Sequence, residues 1–173
     1  GTHIKLDFGT HNTTISNNSL VYTTNNQFND VNYFIELTGS NQTLSGNTFS
    51  VQKRRGLGKN LIEFDWDGAQ TVFFDQTNPN TINGKEISIL RDVDQYTEYD
   101  YNSIVNLGQL FLDNVSNCVL KNVNINSAGG MYLINQISNL TIDSVNIQNS
   151  TSHGIHIESS SDINITSSQP LNS

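Results

Sequence analysis

Three stretches of the chain repeat one pattern: Leu110-Phe-Leu-Asp-Asn-Val-Ser-Asn-Cys-Val-Leu120, Tyr132-Leu-Ile-Asn-Gln-Ile-Ser-Asn-Leu-Thr-Ile142 and Ile155-His-Ile-Glu-Ser-Ser-Ser-Asp-Ile-Asn-Ile165. The second begins 22 residues after the first, and the third begins 23 residues after the second. In each, an alternating apolar and polar run is followed by a polar corner and a second alternating run. Alternation with a period of two is typical of β-strands and differs from the helix period of about 3.6 residues.

A unit this short cannot bury its apolar face alone, so neighbouring units must stack into a continuous core. Looser copies begin at Ile4, Ile35 and Ile62. We predict an all-β fold, a right-handed parallel β-helix (a solenoid) of about seven coils. It forms a single domain over 1–173 or a fragment of a longer solenoid. The predicted inward columns are Ile4, Ile35, Ile62, Leu110, Tyr132 and Ile155; Leu6, Leu37, Phe64, Leu112, Ile134 and Ile157; and Cys118, Leu140 and Ile163.

The corner of each unit carries a column of Asn117, Asn139 and Asp162, preceded by Ser116, Ser138 and Ser161. Amide side chains stacked at a repeated turn can hydrogen-bond along a solenoid and to the local backbone. The pattern therefore predicts a structural asparagine ladder. Cys118, the only cysteine, is predicted to be a buried small apolar residue.

Residues 76–107 do not fit the repeat and are predicted to leave the coil, as a hairpin with an extra strand. The segment holds Tyr96, Tyr99 and Tyr101 beside several acidic residues. Loops on a rigid scaffold often carry binding sites, which favours a neutral sugar or a protein partner here. The alternative is a loop whose tyrosines pack on the flank of the solenoid.

Two carboxylates are candidate catalytic residues. Asp113 and Glu158 fall in one predicted outward column, two coils apart across Asn135. Coils about 4.8 Å apart would separate their backbones by roughly 9–10 Å, near the spacing of about 6.5–9.5 Å between the carboxylates of inverting glycosidases. The alternative is an ordinary acidic surface.

Other residues are candidate sugar contacts, in which Trp66, Phe111 and Leu133 would give apolar contact and Asp65, Asp113, Asn135 and Glu158 would bind hydroxyls. Phe111, Leu133 and His156 fall in a second predicted outward column, where the first two form an apolar strip. Trp66, the only tryptophan, lies between Asp65 and Asp67, an arrangement that suits a sugar platform. A tryptophan packed under the 76–107 segment is equally consistent with the sequence.

Composition excludes several classes of function. The net charge of −8 disfavours nucleic acid, and Lys53-Arg54-Arg55 is the only basic cluster. No apolar run is long enough to span a bilayer. His153 and His156 have no partners at zinc-site spacing, and neither a metal nor a cofactor is expected. Seven Asn-x-Ser/Thr triplets match the acceptor pattern for N-glycosylation, beginning at Asn12, Asn17, Asn41, Asn114, Asn139, Asn149 and Asn164.

The stretch Asn122-Val-Asn-Ile-Asn-Ser-Ala-Gly-Gly-Met-Tyr-Leu-Ile-Asn-Gln-Ile-Ser-Asn-Leu-Thr-Ile-Asp-Ser-Val-Asn-Ile147 resembles a coil pair of β-helical α-1,3-galactosidases. More loosely it is similar to phage tailspike depolymerases of the same pectate-lyase-like superfamily. The resemblance implies the fold and a connection with carbohydrate. The acidic catalytic cluster of those galactosidases lies in coils beyond the matching segment, so no catalytic residue is carried over.

These observations favour recognition of a polysaccharide or glycan by a secreted, cell-surface or virion-surface protein. One alternative is a glycoside hydrolase or polysaccharide lyase that uses Asp113 and Glu158. Another is a structural spike or fibre module, in which the Phe111–Leu133 strip packs between protomers of a homotrimer.

Overall fold

A computed structural model describes residues 4–6, 10–22, 35–37, 40–51, 62–64, 72–101, 107–126, 129–150 and 153–166. The fold is an all-β solenoid of mostly parallel strands, about three turns deep. The strands are Ile4–Leu6 (β1), Thr14–Ser16 (β2), Ser19–Tyr22 (β3), Ile35–Leu37 (β4), Gln42–Ser45 (β5), Thr48–Val51 (β6), Ile62–Phe64 (β7), Val72–Phe74 (β8), Thr81–Ile82 (β9), Lys85–Asp100 (β10), Leu107–Lys121 (β11), Asn124–Asn126 (β12), Met131–Ile134 (β13), Ser138–Asp143 (β14), Asn146–Gln148 (β15), Ile155–Ile157 (β16) and Ile163–Thr166 (β17).

The N-terminal region, β1 to β9, stacks its strands in three parallel sets: β1-β4-β7, β2-β5-β8 and β3-β6-β9. Ile4 pairs with Ile35, and Ile35 pairs with Ile62, which confirms that part of the first predicted column. The column does not continue into Leu110, because β7 pairs with β4 alone among the described strands. The prediction of one column through the whole chain is therefore wrong.

A tight turn at Asn83-Gly84 reverses the chain between the N-terminal region and the C-terminal region, which comprises β10 to β17. Both residues have positive φ (49° and 75°), which asparagine and glycine tolerate best. Strand β10 is antiparallel to β9 and then runs parallel to β11. Within the segment 76–107, β9 and β10 form a hairpin, and β10 continues as a long strand that pairs with β11 in the sheet.

One sheet crosses both regions in the order β3-β6-β9-β10-β11-β13-β16. The N-terminal core lies on one face of it, and its buried members include Phe49, Ile82 and Phe111. The C-terminal core lies on the opposite face, with Leu112 and Leu133 among its members. The strand direction and the buried face therefore both reverse between β9 and β10.

The register of the C-terminal region differs from the prediction by one residue. Leu110 pairs with Met131, and Phe111 pairs with Tyr132. The corner after β13 holds one more residue than the corner before Ser116, and both Asn135 and Gln136 there have positive φ (52° and 50°). A slip of one residue moves every side chain to the opposite face. The predicted columns are therefore wrong at Tyr132 and Ile134.

Beyond that corner the predicted register holds. Cys118 pairs with Leu140, and Leu140 pairs with Ile163. Cys118 is buried, as predicted.

Asparagine forms the corners of the solenoid because it tolerates the left-handed backbone conformation better than most residues. Corner residues such as Asn117 and Asn139 have φ of 55° and 47°. Of the seven N-glycosylation triplets, six begin at an asparagine with positive φ: Asn12, Asn17, Asn41, Asn114, Asn139 and Asn149. For all of these except the triplet at Asn149, corner geometry next to a strand accounts for the triplet.

The N-terminal region contains an asparagine ladder inside its core. Asn18 Nδ2 donates to Asn47 Oδ1 at 3.0 Å, and Asn47 Nδ2 donates to Asn80 Oδ1 at 2.8 Å. Asn47 and Asn80 are completely buried. Their Nδ2 atoms also donate to backbone carbonyls, of Ile15 at 2.8 Å and Leu44 at 2.9 Å. The ladder therefore joins all three turns of this region through its interior.

Candidate functional site

Asp113, a predicted catalytic residue, is buried and forms an ion pair with the partly buried Arg91. One of its oxygens, Oδ2, accepts a hydrogen bond from Arg91 Nε, and Oδ1 accepts one from Asn135 Nδ2 at 3.1 Å. Arg91 also donates through Nη1 to the carbonyl of Val72 in the N-terminal region. Both oxygens of Asp113 are thus occupied by side chains that join strands. This arrangement is typical of a structural carboxylate rather than of a general acid or base.

Phe111 and Leu133, predicted to form an exposed strip, are buried. Their exposed fractions are 1% and 0%. Phe111 faces the N-terminal core and Leu133 faces the C-terminal core, because the sheet is covered on both sides here. The predicted strip is therefore wrong, and neither side chain is available to a sugar or to another protomer.

Phe111 belongs instead to a column of aromatic rings. Its centroid lies 6.0 Å from that of Phe74 and 5.4 Å from that of Tyr132. The column continues to His156, 5.7 Å from Tyr132, and to His153, 5.4 Å from His156. It therefore leads from the buried junction of the two regions to the partly exposed imidazole of His156.

Glu158, the second predicted catalytic residue, is exposed at the end of β16. Its Oε2 lies 3.4 Å from His156 Nε2, and its side chain is 63% exposed. No hydrogen bond or ion pair joins it to Asp113 in the part of the chain that the structure describes. The structure therefore brings together two separate pairs, Asp113 with Asn135 and His156 with Glu158. Asp65, Trp66 and Asp67 lie outside the described residues.

The predicted corner ladder is confirmed for Asn117 and Asn139. Asn139 Nδ2 donates to Asn117 Oδ1 at 2.8 Å, and Asn117 Nδ2 donates to Asp94 Oδ1 at 2.7 Å. Ser116 Oγ also donates to this Asp94 oxygen, at 2.5 Å. The hydrogen bonds from Ser116 and Asn117 lower the pKa of Asp94 from its ordinary value of 3.8. The ladder thus ends on a carboxylate, which can only accept hydrogen bonds.

A shallow open depression lies at the same corner, between the last two turns. Its volume is about 500 Å³, and its lining residues are Gln136, Ile137, Ser138, Ser159, Ser160 and Ser161. Gln136 and Ser159 have positive φ (50° and 48°). The wall of the depression is therefore formed by corner residues of two stacked turns, and two of these residues have the left-handed backbone conformation. The depression presents hydroxyl and amide groups, and Glu158 immediately precedes its lining.

The described residues contain no group of three or more His, Cys, Asp or Glu side chains arranged to hold a metal ion. Within the described ranges, no helix is long and apolar enough to cross a bilayer.

Comparison with protein-family models, with curated proteins and with solved structures gives no match. The depression and its neighbours must therefore be interpreted from their own chemistry.

Sequence reasoning missed several residues of this region. Arg91 gave no signal, because it simply follows the alternating run Glu86–Leu90. Gln136 was hidden by the one-residue error in register. The buried ladder did carry a signal, an asparagine followed by Ser or Thr and an apolar residue. The three copies are Asn18-Ser-Leu20, Asn47-Thr-Phe49 and Asn80-Thr-Ile82.

Proposed function

We propose that this protein recognises a neutral carbohydrate, and that the depression at the C-terminal corner is its binding site. The observation that carries the proposal is the lining of the depression, in which Gln136 and four serines surround one apolar residue, Ile137. Sugar hydroxyls both donate and accept hydrogen bonds, and serine hydroxyls and glutamine amides do the same.

The shape and charge of this surface also suit an extended sugar polymer. The depression is open rather than enclosed, so a chain can lie across it and continue beyond either end. The adjoining corner carries the exposed amides of Asn117 and Asn139, and the exposed carboxylates of Glu158 and Asp162 flank the 159–161 lining in sequence. With a net charge of −8, the protein would repel strongly anionic polymers.

The finer assignments are part of the same proposal. We infer a right-handed coil and the pectate-lyase-like superfamily from the 122–147 resemblance, and about seven coils from the repeat length. A secreted, cell-surface or virion-surface location follows if the ligand is a surface glycan. The enzyme and fibre alternatives gain no support, since Asp113 is held by Arg91 and Asn135 and the Phe111–Leu133 strip is buried.

A glycan array that includes neutral and anionic polysaccharides tests the proposal. The wild-type protein should bind at least one neutral polymer with saturation, and a Gln136→Ala, Ser160→Ala variant should lose most of that binding. Ser16→Ala is the control, because Ser16 is an exposed serine of the N-terminal region. Binding that survives the double substitution, or no binding to any neutral polymer, would contradict the proposal. Release of reducing ends from a bound polymer would identify an enzyme instead of a binding protein.

A further inference from the structure

Strand β10 has an edge that pairs with no other strand along most of its length, among the described residues. On one side, β10 pairs with β11 from Glu86 to Asp100. On the other side, β9 pairs only with Lys85 and Glu86, and Ile87 N donates to the carbonyl of Asn80. An open edge leaves alternate backbone N–H and C=O groups available to an added strand.

The core is incompletely covered along this edge. Val93 and Tyr99 point into the C-terminal core and are half-buried, whereas their neighbours on β11, Val115 and Leu120, are fully buried. A solenoid end with apolar residues still partly exposed is stabilised by a further strand that covers them. The edge therefore offers apolar contact as well as backbone hydrogen bonds.

The outward side chains of the same segment are acidic. Asp94 and Glu98 are exposed, and Lys121 is the cation paired with Glu98, at 2.7 Å. Tyr96 lies between them and is 90% exposed. Acidic side chains on an edge disfavour pairing with neutral or acidic strands, which protects against aggregation. They do not disfavour a strand that brings positive charge to the same face.

We propose that the Val93–Tyr99 edge of β10 binds an extended, basic segment of a partner protein as an added β-strand. Apolar residues of that segment would cover Val93 and Tyr99. The register of β10 against β11 shifts between Asp94 and Thr97, so the added segment would bend there. Its lysine or arginine residues would lie beside Asp94 before the bend and beside Glu98 after it. Backbone hydrogen bonds supply most of the affinity in this mode of binding, and side-chain alternation supplies its specificity. This surface is distinct from the depression at Gln136 and Ser160.

Hydrogen exchange measured by mass spectrometry, with and without a short synthetic peptide of alternating lysine and valine, tests the proposal. In the free protein, the amides of Val93–Tyr99 that do not bond to β11 should exchange fast. The peptide should protect them with saturation, and added salt should weaken its binding. Fast exchange that the peptide leaves unchanged, or slow exchange in the free protein, would overturn the proposal.

One altered peptide and two protein variants separate the effect of charge from non-specific hydrophobic binding. A peptide with glutamate in place of lysine should give no protection. An Asp94→Asn, Glu98→Gln variant should bind the lysine peptide about two- to fivefold more weakly for each charge removed. Asp162→Asn, a variant at an exposed carboxylate of the opposite end, should bind as the wild type does. Equal binding by all three proteins would refute the assigned role of the acidic side chains.

Discussion

The N-terminal and C-terminal regions both contain an asparagine ladder, but the first lies in the interior of the coil and the second on its surface. The N-terminal ladder of Asn18, Asn47 and Asn80 lies inside the coil, where Asn47 and Asn80 are fully buried. The C-terminal ladder runs from Asn139 through Asn117 to Asp94 on the exposed corner. The same residue type and nearly the same hydrogen-bond lengths therefore occur in two different environments.

The difference shows which asparagines hold the fold together and which lie on a surface open to a ligand. A buried amide that loses its partner keeps the full cost of its removal from water, about 1–3 kcal/mol. An exposed amide exchanges one partner for water at little cost. The N-terminal ladder is therefore committed to stability, whereas the C-terminal corner can present amides and hydroxyls to a sugar.

The largest expected effect is at the junction of the two regions. Phe111→Ala removes a buried ring that contacts Phe74 on one side and Tyr132 on the other. We expect the free energy of unfolding, measured in urea, to fall by about 3–5 kcal/mol. Phe73→Ala is the control, because Phe73 is 50% exposed, and it should cost less than about 1 kcal/mol. Equal losses would contradict the burial of Phe111 in the N-terminal core.

The next effect compares the two ladders directly. Asn47→Ala should lower the free energy of unfolding by about 2–3 kcal/mol, because it leaves Asn18 and the Ile15 carbonyl without their buried partner. Asn139→Gly, which keeps the positive φ of 47° accessible, should cost less than about 1 kcal/mol. Similar losses in the two variants would contradict the distinction between a buried and an exposed ladder.

The smallest expected effect is a pH dependence of stability caused by Asp94, the carboxylate at the end of the exposed ladder. The lowered pKa of Asp94 means that its hydrogen bonds with Ser116 and Asn117 stabilise the fold above about pH 4. This contribution is lost as pH falls through the folded-state pKa, below 3.8. Asp94→Asn should therefore make stability less sensitive to acid below pH 3.8, measured by thermal unfolding. Asp162→Asn, in the same corner column, is the control, and an equal change in both variants would contradict the assignment.

Much of the fold was predictable because the spacing between repeated strands gives the register in which they pair. The pairings of Ile4 with Ile35, and of Cys118 with Leu140, follow from alternation and spacing alone. Alternation cannot reveal an extra corner residue. The predicted register of β11 against β13 is therefore wrong by one residue, because Asn135 and Gln136 both belong to the corner. The alternation of apolar and polar residues also does not show which face of a strand is covered by another part of the chain. For that reason Phe111 was predicted to be exposed although the N-terminal core buries it.

The candidate site was less predictable than the fold. Ser138 and Ser161 were recognised as corner residues, and both line the depression. Their neighbours Gln136 and Ser160 were not predicted to bind a ligand, because a depression between turns depends on the exact corner geometry. Asp113 was assigned to catalysis on spacing alone, and only the structure shows its ion pair with Arg91.

Hydrogen exchange in the presence of neutral polysaccharides, starting with those that bind on the array, tests the central claim most directly. The account predicts that a bound polymer slows exchange at 136–138 and 159–161 and leaves the buried ladder of the N-terminal region unchanged. Protection confined to the N-terminal region, or no protection at the corner by any bound polymer, would contradict it.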